Sequence, residues 1–452
     1  MRSRERWHGP RCQSDMDFLT RIPRGLLLLL GCAGCASAEP PTDLHFEFAV
    51  TKTPAVYHIG ERIVCKMSFS TSAPGKYGID TSGGPRGIWG HSFETFQAIP
   101  KDGTVDPRVD LSRQLGFVIA GDVLQGYLKL SSKPHVETTD LNQWLRFVRP
   151  GVYHLRAQSS RASLFREQPS PAAANEVVVN SNEIVVTVLP ADPAWTANEL
   201  SDIKKLLDSP ASSADQKAVA ASRLRYLNTE SSTVEMVLEL PGTAGAPYHH
   251  DLYEGLIESS RRKTAIGMLQ QTIQGAASRV SWDAVELLSK LTLLDEYRNR
   301  PIPPFDGKDP GQLKALRAAV QERQDRHVAV MAQYSAELKA SLPRRTGRAR
   351  TDAIFALWKE QELHSQGSAT ESLESMRREV ISIAGDLTPD QQWWILSVYW
   401  DRLSNRQSLL PLIKKLVFSG QPIQLNNLAG GDLRQTAVER YCELDAAGCQ
   451  GR

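Results

Sequence analysis

The feature that most constrains the fold is a change of hydrophobic period near residue 190. Upstream, from about Thr42 to Pro190, apolar residues recur every second position in short runs. Ile63, Cys65, Met67 and Phe69 alternate with Val64, Lys66 and Ser68, and Phe46 alternates with Phe48 before them. That spacing puts one strand face in a core and the other in water. Trp144–Val148 and Val152–Arg156 are strand-like runs around the turn dipeptide Pro150-Gly151. Val177–Val179 and Ile184–Val188 follow, separated by a turn or bulge at Asn180-Ser181-Asn182. Short strands, Gly/Pro punctuation and no helical period predict an antiparallel β-sandwich over 42–190. Gly75–Gly90 and Lys101–Arg113 read as its long loops.

After Pro190-Ala191-Asp192-Pro193-Ala194-Trp195 the pattern turns helical. Capping-box pairs recur: Thr196 with Glu199, Ser213 with Gln216, Ser232 with Glu235, Ser368 with Glu371, and Thr388 with Gln391. In each, a hydroxyl accepts from the first turn and the residue three on returns the bond. The first three boxes lie one helix and a turn apart, which suits helical-hairpin repeats. Apolar faces agree: Ala221, Leu224 and Leu227; Val234, Val237 and Leu238; Val285, Leu288 and Leu291. A longer helix starts at Asp309-Pro310 and runs through Leu313, Leu316, Val320, His327, Met331, Tyr334 and Leu338. Trp393, Leu396, Trp400 and Leu403 form a stripe read as core rather than as a carbohydrate platform. The proline-rich stretch Asn299–Pro310 is expected to split the array into 195–300 and 309–452.

Two signatures carry a resemblance. Tyr57-His58-Ile59-Gly60-Glu61-Arg62-Ile63 and Pro150-Gly151-Val152-Tyr153-His154-Leu155 look like an early and a late strand of immunoglobulin-like and macroglobulin-like domains, the second placing Tyr153 at a sheet corner. Ala221–Val237 and Leu252–Ile266 look like HEAT-type units. The layout resembles uncharacterised exported bacterial proteins with an Ig-like sandwich followed by HEAT-like repeats. That resemblance implies a fold and brings no functional residue with it. The chain's last residues show no polar capping repeat, which suggests an array that is truncated or completed by a partner.

The first 38 residues read as a secretory segment: basic Arg21 and Arg24, the apolar run Leu26–Leu30, small residues to Ala36, and Ala36-Ser37-Ala38 as a cleavage pattern. Leu29-Leu30-Gly31-Cys32 also resembles a lipobox, so lipidation at Cys32 competes with cleavage after Ala38. The segment holds six Arg and three acidic residues, and removing it takes the net charge from +2 to −1. Such a balance gives no electrostatic case for nucleic acid, and a membrane enters only through that lipid anchor. The basic run Pro343–Arg350 is expected to be a solvated loop. Of the remaining cysteines, Cys65 reads as a core thiol, while Cys442 and Cys449 are placed to pair if the compartment is oxidising.

No short motif commits the chain to a reaction or to a cofactor. Ser201-x-x-Lys204 and Ser260-x-x-Lys263 fit a hydrolase pattern without its companion motifs. His249, His250, Asp251 and Glu254 share one turn and read as an exposed helix start rather than metal ligands. The expectation is an exported, non-catalytic scaffold that binds another protein through its array and sandwich. The alternatives are an unrecognised enzyme with an interdomain cleft, or a protease inhibitor acting through the loop Gly83–Gly90.

Overall fold

A computed structural model describes residues 41–81, 93–109, 127–165, 176–243, 246, 248–303, 309–365, 370–419, 423, 425 and 432–449. The secretory segment with Cys32 and Ala38, the loop Gly83–Gly90 and the Ser368 cap lie outside the described residues. Among the described residues no helix is long and apolar enough to cross a membrane.

The change of period is a change of architecture: an N-terminal β region of mainly antiparallel sheets is followed by an α-helical region. One sheet has three strands: β1 (Leu44–Val50), β3 (Val64–Thr71) and β8 (His135–Asp140), with β3 in the middle. Its register sets Phe46 opposite Phe69 and Val50 opposite Cys65, so the alternation read in the sequence becomes one buried face. The second sheet is organised by the long β10 (Gly151–Leu164). One edge of β10 takes β12 (Ile184–Leu189) and then β11 (Glu176–Asn180); the other takes β5 (Glu94–Ile99) and then β4 (Tyr77–Asp80). β7 (Tyr127–Lys129) extends the sheet beyond β4, and β2 (Val56–His58) runs parallel to β12. Between them, β6 (Thr104–Val105) and β9 (Arg146–Phe147) form a separate two-stranded ribbon.

Both sheets contribute to one apolar core, where Phe48, Cys65, Met67 and Phe69 meet Leu155, Ala157, Val186 and Val188. Asn182 ties the faces together: its side chain accepts from the Phe48 amide at 2.8 Å and donates to the Phe48 carbonyl at 3.0 Å. The bulge at 180–182 is therefore a fastening between sheets. Tyr153, near the start of β10, is buried and donates from its hydroxyl to the Arg149 carbonyl at 2.7 Å. Two loop assignments need correction. Gly75–Gly90 contains β4, whose Tyr77 and Ile79 are buried, and Lys101–Arg113 contains β6. Short strands bounded by glycine lack the run length from which alternation is read.

The helical region begins with α1 (Pro193–Asp208), α2 (Ala214–Leu227), α3 (Glu230–Glu239), α4 (His249–Glu258), α5 (Arg262–Gln274) and α6 (Ala284–Glu296). It continues with α7 (Pro310–Ser341), α8 (Gly347–His364), α9 (Glu371–Ser382), α10 (Pro389–Trp393), α11 (Leu410–Phe418), α12 (Leu433–Leu444) and α13 (Ala446–Cys449). Through α9, helices touch the next in sequence and often the next but one, as α2 touches α4 and α5 touches α7. One continuous apolar cluster runs from Ile203 to Tyr441. Its members lie on both sides of the proline stretch, and α6 packs directly on α7. Cys442 and Cys449 are disulfide-linked, and Cys65 is free and buried.

Two predicted boxes, at Ser213 and Thr388, form as read, and Asp309 caps α7. The start at Thr196 is instead capped by Asp192, which accepts from the Ala194 and Trp195 amides, with Pro193 at the first helical position. The start at Ser232 moves to Thr229, because Thr229 and Ser232 make a reciprocal box one turn earlier. That shift turns the face of α3: Thr233, Met236 and Val237 are buried and Leu238 is 62% exposed. The Trp393–Leu403 stripe is not one helix. α10 passes into a π turn at Trp394–Val398 and a tight turn at Trp400–Arg402, yet Leu396, Trp400 and Leu403 are core as expected.

The basic run is solvated only in part: Arg344, Gly347 and Arg350 are exposed, while residues 347–350 already belong to α8. Arg345 is buried and its guanidinium donates to the Thr272 carbonyl at 2.8 Å and the Ser341 hydroxyl at 2.7 Å, satisfying the end of α5. Gly60 marks where the β region meets the helices. Its φ is +88°, and a Cβ there would stand 3.0 Å from the Leu227 carbonyl. Gly60→Ala should therefore cost about 1–3 kcal/mol in urea unfolding; an unchanged midpoint would remove this close approach from the account.

Candidate functional site

Among the described residues, polar chemistry gathers at the seam between the two regions, at a buried lysine box between helices and along an open groove on the first helices, besides buried pairs such as Arg161 with Glu94 and Arg377 with Glu362.

The seam is built on Glu258, the last residue of α4. Arg225 from α2 binds its carboxylate twice, at 2.9 and 2.7 Å, and Arg108 from the β region binds it at 2.8 Å. Arg108 also reaches Glu254 at 2.7 Å, and Arg225 reaches Asp251 at 3.1 Å. Arg146 donates to the Glu258 carbonyl at 2.8 Å. Burial works to raise the Glu258 carboxyl, but the charge and hydrogen bonds of Arg225, then of Arg108, outweigh it and hold the group at about 2. A second anchor lies at Asp140, which accepts from Arg62 at 2.8 Å, from Ser222 at 2.6 Å and from Tyr226 at 3.3 Å. His58 of the β region stacks on Trp195 of α1, with ring centroids 4.7 Å apart. The seam is therefore polar and dense, and these ionised groups are already matched to one another.

This overturns the reading of the histidine turn. His249 and Glu254 are buried, and α4 does not begin as a solvated helix end. His249 shares a hydrogen bond with Asp283 at 2.6 Å through Nε2 and with Thr243 at 2.8 Å through Nδ1, while Glu254 and Asp251 serve the arginines. Burial lowers the His250 imidazole and raises the Asp251 carboxyl. No group of three metal-ligating side chains occurs among the described residues. Neither Ser-x-x-Lys pair assembles: Lys204 binds Glu235 at 2.6 Å, and Ser260 binds Asn228 at 3.2 Å.

The lysine box was not foreseen. Lys359 on α8 is 3% exposed, and its Nζ has neither hydrogen bond nor ion pair among the described residues. It rests on the ring face of Trp282, 2.6 Å from the centroid, with Trp394 at 4.7 Å. Asp283 and Glu286 are the charges that act on it from a distance. Burial outweighs both carboxylates and pulls the ammonium down to about 7. The carboxylates have other partners: Asp283 takes His249 and the Ser281 hydroxyl, and Glu286 takes Lys290 at 2.6 Å. Lys290 in turn donates to the Tyr253 hydroxyl at 3.0 Å. A signal for this burial was present, since Ala353-Ile354-Phe355-Ala356-Leu357-Trp358 is apolar around the whole helix. A charge that continues such a run is enclosed with it.

The groove lies along α1, closed on one side by Thr229 and Ser231, with a volume of about 730 Å³. Pro193, Ala197 and Leu200 supply its apolar wall, and Thr196 and Ser201 its hydroxyls. Ala197, Ser201 and Ser231 are exposed.

No family model matches the chain, and no curated protein matches it. Among solved structures it is similar to native alpha-2-macroglobulin from Escherichia coli, in the part running from domain MG7 to the C-terminus. The identity is 12%, covering 89% of this chain and 60% of that one, with a TM-score of 0.18. At that score the likeness carries no argument, and the chain spans less than two thirds of the protein it is aligned with.

Proposed function

We propose that this chain is an exported scaffold that binds another protein along the groove of α1, with the β region as a rigid second module. The observation that carries the reading is the groove itself: an open channel lined by Pro193, Ala197 and Leu200, by the hydroxyls of Thr196 and Ser201, and by the charged Lys204, Lys205 and Asp208. The finer fold reading belongs to the same proposal. Contacts between next-but-one helices suit a HEAT-like array, whose repeats present extended surfaces. The Tyr153 hydrogen bond near the start of β10 suits an Ig-like or macroglobulin-like sandwich. Export rests on the segment ending at Ala38, with Cys32 as the alternative lipid anchor.

Ala197→Arg together with Ser201→Arg fills the channel with two long cations at exposed positions. Capture of a partner from the exported fraction by the full chain should fall at least about tenfold, with the unfolding midpoint unchanged; tenfold corresponds to ~1.4 kcal/mol of binding. Equal capture by both chains would dismiss the groove as the binding surface.

A further inference from the structure

We propose that the groove of α1 takes a partner segment that carries a lysine or arginine beside an apolar residue, with the cation seated between Asp208 and Glu239.

The choice rests on the groove being the binding surface, and the charges around it then decide which segment it takes. Pro193, Ala197 and Leu200 receive an apolar side chain without selecting its neighbour. Both lysines of the groove are already engaged. Lys204 binds Glu235 of α3 at 2.6 Å, and Lys205 binds Asp202 at 3.0 Å. The first of these pairs sets α1 against α3. Four residues beyond each of its partners, about one helical turn on, stand Asp208 and Glu239. Neither side chain has a hydrogen bond or ion pair among the described residues. Each is also the last residue of its helix, where the helix dipole already gathers negative potential.

The two carboxylates feel one another. Burial, then Asp208, then Glu235 push the Glu239 carboxyl up, and the opposing charges of Lys204 and Lys217 act on it less strongly. Three carboxylates thus meet two ammonium groups at this end of the groove, and one of those is already bound to Glu235. Asp208 is exposed and Glu239 half-buried, so the pair is open to an incoming side chain. A guanidinium or ammonium placed there gains charge-assisted hydrogen bonds and relieves the repulsion between the carboxylates. An acidic segment would add a further like charge, and a purely apolar one would leave the repulsion in place.

Phage display of random peptides on the immobilised full chain presumes no partner sequence. Peptides selected by the natural chain should be enriched, over the unselected library, in lysine or arginine beside an apolar residue. A selected peptide, made synthetically, should bind Asp208→Asn with Glu239→Gln at least about tenfold more weakly. Its affinity for the natural chain should fall as salt rises, because Asp208 faces water. Both substitutions sit at accessible helix ends, so the urea midpoint should not fall; that measurement separates lost charge from lost fold. The basic class is overturned if the selected peptides show no such enrichment, or if they bind the neutralised variant as tightly as the natural chain. Should those peptides still fail on Ala197→Arg with Ser201→Arg, the groove survives as the binding surface without the basic class. If they bind that variant unchanged, or if no peptide is selected, the groove reading falls as well.

Discussion

Glu258→Gln should lower the stability of the chain at pH 7 by about 3–5 kcal/mol, the cost of leaving buried charges without their counter-ion. Two guanidiniums, Arg225 and Arg108, bind this one carboxylate, and Arg225 is 2% exposed. Glutamine keeps the shape and some hydrogen bonds and removes the charge. The pH dependence identifies the cause. The folded carboxyl sits at about 2, below its ordinary 4.5, so its contribution is fully present above about 4.5 and is lost as the pH falls towards 2. Urea unfolding across that range should show the loss in the natural chain and a flatter profile in Glu258→Gln. A variant within about 1 kcal/mol of the natural chain would mean that Glu254 and Asp251 suffice for both arginines.

Lys359→Met should act in the opposite direction. Methionine fills a similar volume with no charge to desolvate, and replacing a buried charge that lacks a close partner commonly stabilises. The expected gain at pH 6 is about 2–4 kcal/mol. The drop from 10.5 to about 7 would correspond to about 5 kcal/mol, and the lost ring contact returns part of it. Between pH 7 and 10.5 the unfolded chain keeps this proton and the folded chain has released it, so stability rises with pH. The penalty is complete below about 7 and relieved by about 10.5. Chemical unfolding at pH 6 and 9 should show this rise in the natural chain and not in the variant. A loss of stability at pH 6 in Lys359→Met would show that the ring contact outweighs the burial.

What could be read in advance follows from range. Strand β3 and the core side of β10 were legible because period 2 is a local property, and the start of α7 because Asp309-Pro310 is a local cap. The caps of α1 and α3 were misplaced by a turn where two hydroxyl or carboxylate candidates compete within four residues, Asp192 with Thr196 and Thr229 with Ser232. The seam was illegible for a different reason. Arg108 and Glu258 are 150 residues apart, and each looks like ordinary solvated charge in its own neighbourhood. The same holds for Arg345, whose carbonyl partners end another helix. Only Lys359 carried a local hint, because the six residues before it, Ala353 to Trp358, are all apolar.

The central claim is that β and helical regions are one body, locked at Glu258 and Asp140. The most direct measurement follows both regions in one urea titration. Replacing Cys12, Cys32 and Cys35 with Ser leaves Cys65, buried in the β core, as the free thiol among the cysteines, since Cys442 and Cys449 are bonded. Its reactivity reports the β region, and circular dichroism at the helical band reports the array. The account predicts that both change at the same urea concentration, with the two curves superimposing as a single cooperative unit requires. A thiol that becomes reactive while the helical signal is intact would contradict it.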